Sequence, residues 1–211
     1  MLNANQRGIG TYYRCFYFGR SLARAGHKVT MMTVSRESLY ASRRSLKEGV
    51  EIVECPASMY RTIPGWSAGP LDIAARVKEY FRIDYDLLYA FEHLPDVALP
   101  VYLNGMSRRR PYVSDWADWF AGVHRQWRGI RLAQALDNYL EEHIRQRAAA
   151  VTVICRRLRQ RAIASGVRPE RVHWTGQGVD TRFVRVIDRQ EARRRIGIDG
   201  DRPVVGVITD A

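Results

Sequence analysis

The run Leu22-Ala-Arg-Ala-Gly-His-Lys-Val-Thr-Met-Met-Thr-Val34 passes from a charged, half-apolar segment through one glycine into a short apolar stretch. Its first part closes an amphipathic helix over residues 11–25, where Tyr12, Phe16, Leu22 and Ala23 fall near helical spacing with Arg14, Arg20 and Arg24 between them. Gly26 supplies the C-terminal stop. Residues 29–34 then read as a strand covered on both faces, the pattern of a parallel sheet. Helix, glycine and buried strand make half of a βαβ unit.

The same alternation continues outward. Strands are expected at residues 50–54, 86–91, 112–114, 151–154 and 171–175, and helices at 71–82, from Pro95 through Leu103, at 130–149 and at 156–165, the last closed by Gly166. The stretch from Cys55 to Pro70, rich in Pro, Gly, Ser and aromatics, reads as a long loop. Such alternation predicts an α/β fold, a Rossmann-like doubly wound parallel sheet with helices on both faces. A turn-rich stretch after Gly178 gives way to a basic helix at 189–196 and a strand at 203–208. The expected organisation is therefore a domain over 1–180, with 181–211 as hinge and start of a second unit, because a lone strand cannot form a domain.

Of the 211 residues 46% are apolar and 27% charged, which suits a soluble globular chain with one good core. No apolar run approaches the ~18 residues of a spanning helix, and arginines occupy the region where a signal peptide would need its apolar segment. Cys15, Cys55 and Cys155 lie far apart without a C-x-x-C pairing, so neither zinc nor disulfides are expected and a reducing cytoplasm is the default. A net charge of +12 calls for an anionic partner: a nucleotide, an acidic membrane surface or nucleic acid. Scattered charge and the absence of nucleic-acid-binding motifs argue against the last. The runs Arg108–Arg110, Arg156–Arg157 and Arg193–Arg195 read as solvated faces. The basic stretch from Arg36 to Lys47, with Leu39, Tyr40 and Leu46 interspersed, offers a peripheral contact with the inner face of an anionic membrane.

Gly8-Ile-Gly10 stands immediately before the first helix, and Thr11 opens it. Glycines there let backbone approach a ligand, and the helix's free N–H groups and positive dipole end favour phosphate. The competing reading is a flexible loop, since Tyr13 occupies the place of a third fingerprint glycine. Glu92 and His93 follow a buried strand at its carboxyl end, where ligands bind in such sheets, the alternative being a solvated loop. His124, His143 and His173 lack ligand-like spacing. Trp116, Trp119, Phe120 and Trp127 read as core or cleft wall, or as a sugar platform. Asp115 and Asp118 are not spaced as a metal-binding pair, and no metal or other cofactor is expected.

Two longer runs carry a family resemblance. Ser165-Gly-Val-Arg-Pro-Glu-Arg-Val-His-Trp-Thr-Gly-Gln-Gly-Val-Asp-Thr-Arg-Phe183, preceded by Ala148-Ala-Ala-Val-Thr-Val-Ile-Cys155, resembles the hinge region of family 4-like glycosyltransferases of the GT-B fold, with Gly178, Asp180 and Phe183 at the family's positions. Residues 7–12 and 22–30 are similar to that family's glycine-rich loop, first helix and entry to the second strand. The resemblance spans residues 7–208 and implies the acceptor-side domain of a retaining enzyme that moves a sugar from a nucleotide-sugar, a substrate rather than a cofactor, to an unknown acceptor. It implies that Gly8, Gly10 and Thr11 meet the donor phosphates, that Glu92, His93 and Trp116 line the acceptor side, that Asp118 is the catalytic-cleft carboxylate, and that Gly178 and Asp180 form the hinge. The family's cleft histidine aligns with Ala117, although a small shift would bring Asp115 to the site instead. The family begins with a strand before the loop, of which only Leu2 is recognisable, so the central first strand is expected to be missing and the second domain barely begun. On that reading the isolated chain has no turnover. The alternative is a non-catalytic module that binds an acceptor or a protein.

Overall fold

The structure, a computed structural model, describes residues 1–59, 68–119, 131–200 and 202–207. The half-unit read from residues 11–34 is present: helix α1 spans Thr11–Arg24 and strand β2 spans Val29–Val34. Ahead of them lies a strand that was expected to be lost. Leu2–Gln6 forms β1, hydrogen-bonded in parallel to β2 on one side and to β5 (Leu88–Phe91) on the other. Its polar residues are compatible with burial because they satisfy one another. The fully buried Asn3 donates to the Asn5 carbonyl (2.9 Å) and the Thr33 hydroxyl (3.1 Å), and accepts from the Thr11 hydroxyl (3.0 Å).

The remaining elements follow the expected alternation. They are β3 (Arg43–Lys47), β4 (Val50–Cys55), α2 (Pro70–Arg82), α3 (Pro95–Met106), β6 (Tyr112–Trp116), α4 (Arg131–Gln146), β7 (Ala150–Val153), α5 (Arg156–Ala164), β8 (Val172–Trp174) and α6 (Arg189–Arg195). The described strands form one sheet in the order β3-β4-β2-β1-β5-β6-β7-β8. Every pairing is parallel except that of β3 with β4. This is the doubly wound Rossmann-like sheet of the sequence reading, with an antiparallel edge strand added. β3 was not foreseen because its residues, Arg-Arg-Ser-Leu-Lys, are all exposed and show no apolar period. Its charges blunt an open sheet edge.

Both faces of the sheet are covered. Alternate residues of β2 divide between two cores: Met31 joins Tyr12, Phe16, Ile52 and Phe91 beneath α1, and Met32 joins Leu2, Val53, Tyr80, Val97 and Trp116 on the other side. α1 can approach the sheet closely because residue 19 is glycine. A Cβ there would lie 3.1 Å from Met1 Sδ and 3.3 Å from Val29 Cγ1. Burial lifts the thiol pKa of Cys15 to about 12 and that of Cys55 to about 11, so neither is a ready nucleophile.

Several details differ from the sequence reading. The basic stretch read as a membrane contact contains β3, whose Arg43 pairs with Glu37 (2.8 Å) and whose Arg44 pairs with Glu51 (2.8 Å) and Glu79 (3.0 Å). Two of its four cations are therefore met by the chain's own carboxylates. No strand forms over residues 202–207, and Ile208 lies outside the described residues. The chain divides into two compact units, Met1–Gln177 and Gly178–Ala211. Among the described residues no helix is long and apolar enough to cross a membrane.

Candidate functional site

The sheet order places a topological switch point between β1 and β5. From β1 the chain winds outward through β2 and β4, then returns to add β5 on the opposite side of β1. Loops leaving the carboxyl ends of two such strands diverge and open a crevice, the usual ligand site of an open α/β sheet. Here those loops are Arg7–Gly10 after β1 and Glu92–Leu94 after β5. Both were singled out by sequence.

Gly8 and Gly10 adopt φ of 82° and 54°. At Gly10 a Cβ would fall 2.8 Å from Asn5 Nδ2, so both conformation and space demand glycine. The amide of Ile9 donates to Gln6 O, and those of Tyr12 and Tyr13 donate to Ile9 O and Gly10 O. The amides of Gly8, Gly10 and Thr11 have no acceptor among the described residues. The Thr11 hydroxyl is turned inward, accepting from Asn5 Nδ2 (2.6 Å) and donating to Asn3 Oδ1 (3.0 Å). Beside them stands Arg36, just past the end of β2, with NH1 3.8 Å from where a Gly8 Cβ would lie. Sequence reasoning had assigned Arg36 to a membrane-facing stretch. Its position just beyond the carboxyl end of a buried strand is the signal that could have found it.

On the other flank Glu92 and His93 are buried, 3% and 2% exposed, and are not a solvated loop. Glu92 has a left-handed φ of 60°, unusual for a non-glycine residue. His93 Nε2 lies 3.4 Å from the Ser114 hydroxyl. Burial first, and then the Arg145 charge, push its pKa well below the ordinary histidine value, so the ring is neutral. Arg145 is itself buried. Its guanidinium lies over the Trp116 ring at 4.1 Å, and desolvation lowers its pKa to about 10 against the pull of Glu141, Asp115 and Glu92. Trp116, expected on the acceptor side, is fully buried, with Nε1 donating to Glu141 at 3.2 Å.

Asp118 is exposed, beyond the end of β6. Within β6 itself, Asp115 is 1% exposed and clasped by Arg14 through Nε at 2.7 Å and NH2 at 2.9 Å. Tyr89 donates to the Thr152 hydroxyl (2.9 Å), which donates to Asp115 (2.6 Å). Arg14 also reaches Thr175 Oγ1 (3.0 Å), Gly176 O (2.7 Å) and Gln177 Oε1 (3.2 Å). It ties α1 to the last residues of the first unit. Gly178 opens the second unit, where Asp180 binds Arg182 at 2.7 Å. Phe120, His124 and Trp127 lie outside the described residues. Among the described residues no three His, Cys, Asp or Glu side chains converge as metal ligands.

Residues 8–178 match the glycosyl transferase 4-like domain. The chain belongs to that family. Its fold also matches two solved structures. One is a sucrose-phosphate synthase from Thermosynechococcus elongatus, with a TM-score of 0.60 and 14% identity over 92% of this chain and 49% of that one. The other is Anabaena HepE, solved in complex with UDP and glucose, with a TM-score of 0.50 and 14% identity over 93% of this chain and 49% of that one. The chain spans about half the length of these structures. No curated protein matches it by sequence.

Proposed function

We propose that this chain is the acceptor-side domain of a glycosyltransferase that moves a sugar from a nucleotide-sugar to a hydroxyl acceptor with retention at the anomeric carbon. The observation that supports this reading is the glycine loop at the switch point of a glycosyl transferase 4-like domain, where the amides of Gly8, Gly10 and Thr11 meet no acceptor among the described residues and Arg36 NH1 stands 3.8 Å from where a Gly8 Cβ would lie. As the C1–O bond to the diphosphate breaks, its electron pair leaves with the nucleoside diphosphate. Amides, a helix N-terminus and a guanidinium are suited to stabilise that charge without a metal. Asp118, exposed at the same edge, lines the acceptor side. Neutral His93 and buried Glu92 set the shape of the crevice floor. Gly178 and Asp180 begin the passage into the donor-binding half, and the activity belongs to the cytoplasmic face where nucleotide-sugars are available.

The experiment is a titration of the ¹⁵N-labelled chain with UDP-glucose, ADP-glucose and GDP-mannose, read at the amides. Shifts centred on Gly8, Gly10 and Thr11 are expected, together with no release of nucleoside diphosphate by the 211-residue chain alone. Absence of shifts at those amides across the panel would overturn the phosphate role. Turnover by the chain itself would show that the donor is gripped within these residues.

A further inference from the structure

The opposite, amino-terminal edge of the sheet carries a second concavity that shares no residue with the crevice above. It lies between the C-terminal ends of α3 and α4 and the entries to β6 and β7, and has a volume of about 470 Å³, within the range of small-molecule sites. Arg109, Arg110, Arg147 and Arg171 line it with Tyr139 and His143, and its described lining contains no aspartate or glutamate. Several arginines elsewhere meet carboxylates, as Arg14 meets Asp115, Arg44 meets Glu51 and Arg76 meets Asp96. The side chains of Arg109, Arg110 and Arg147 form no hydrogen bond or ion pair with any described residue.

The turn bearing two of these arginines is held in place. Arg109 has a left-handed φ of 51°, a conformation that costs an L-residue. Its amide donates to Asn104 O at 2.7 Å, and Asn104 Nδ2 donates to Arg110 O at 2.8 Å. Asn104 is fully buried and accepts from the Tyr85 hydroxyl at 2.8 Å. Arg108 turns away, donating to the carbonyls of Phe81 (2.7 Å) and Ile83 beside the rings of Tyr80 and Tyr85. The run read from sequence as one solvated face is thus split into a structural arginine and two that line the cleft. Across from them Tyr139 and His143 stack with ring centroids 4.2 Å apart.

We propose that this cleft binds a small multivalent phosphate anion of the pyrophosphate type, at a site separate from the glycine loop. Guanidinium groups match phosphate oxygens in pairs, and several cations on a concave wall without carboxylates concentrate positive potential where such an anion fits. A bilayer surface calls for a protruding apolar face between the cations, whereas here the cations surround a hollow.

Calorimetric titration of the 211-residue chain with inorganic pyrophosphate tests the assignment. Saturable binding is expected, with a component that depends on the arginines of this cleft. The exposed pair Arg109→Ala/Arg147→Ala should weaken it about tenfold or more. Arg157→Ala/Arg159→Ala on α5, which removes the same charge from exposed positions elsewhere, should change it less than about twofold. Amide shifts should fall within residues 102–110 and 139–147. Four results would overturn the proposal: no saturable binding; equal weakening by both pairs; shifts confined to Gly8, Gly10 and Thr11; or no pyrophosphate binding alongside binding to phosphatidylglycerol vesicles that only the first pair reduces. The third would leave the glycine-loop reading standing, so the two fail separately.

Discussion

Arg14 has all five of its N–H donors engaged, two on Asp115 and three on Thr175, Gly176 and Gln177. Asp115 is 1% exposed, so removing its partner strands a buried charge. Arg14→Ala should therefore cost about 3–5 kcal/mol in urea unfolding, and Arg14→Met with Asp115→Asn should cost clearly less than the sum of the single changes. Additive losses would show that the pair acts independently. At His93 the sign follows from its lowered pKa: the unfolded chain takes up a proton that the native ring refuses, so stability falls as pH drops below about 6.5. Thermal unfolding from pH 8 to 5 should show wild type losing stability relative to His93→Gln only below that point. Parallel curves throughout would mean that the native ring protonates normally. The importance of Asp115 was only half legible. A carboxylate in the short strand Tyr-Val-Ser-Asp-Trp requires a cation, but the cation lies 101 positions away in sequence, and no local period announces it. Arg145 over Trp116 was hidden for the same reason.

Elements with a period of their own were legible, and those stabilised by polar satisfaction were not. Helices α1 and α2 and the buried strand β2 follow their apolar spacing to within a residue or two of the expected ends. β1 was missed because Asn3, Asn5 and Gln6 look like loop. What makes them strand is a set of partners on β2, just past its end, and on α1: Thr33, Ser35 and Thr11. The glycine loop that follows was recognised, but the reason for Gly10 is sharper than free access for a ligand. Gly10→Ala must hold φ near 54° and push Asn5 Nδ2 from 2.8 Å. It should lower stability by about 1–2 kcal/mol, with an unchanged dependence on urea concentration. Asn5→Ala costs its own hydrogen bond to Thr11, but in its background Gly10→Ala should cost less than in the wild type, since the steric contact is gone and the φ strain is what remains of the Gly10 effect. A double variant no more stable than the sum of the single changes predicts would rule out the contact as a source of the cost.

On the scale of the whole molecule, an absent first strand would have left β2 open along one flank, and association through that edge would follow. With β1 in place β2 is paired on both sides, and the sheet's free edges are the charged β3 and the short β8. The amides of residues 29–34 should therefore be among the slowest to exchange. Residues 178–207 should behave differently. In that unit Arg193 is the only buried residue among those described, while Val179, Phe183, Val186 and Val205 are exposed. With no buried apolar side chain among the described residues of this unit, α6 rests on polar contacts: its N-cap Asp188 accepting from Gln190 and Glu191, the Arg195–Glu191 pair, and Arg193 donating to Arg202 O (3.0 Å). A seven-residue helix held in this way is marginal in water. Hydrogen exchange followed by mass spectrometry should show residues 178–207 exchanged within the first time points while β1, β2, β5 and β6 remain protected. Limited trypsin digestion should cut first at the arginines from Arg182 onward and leave a resistant fragment corresponding to the first unit. Protection over residues 189–195 equal to that of β2 would show that the second unit has stabilising contacts of its own.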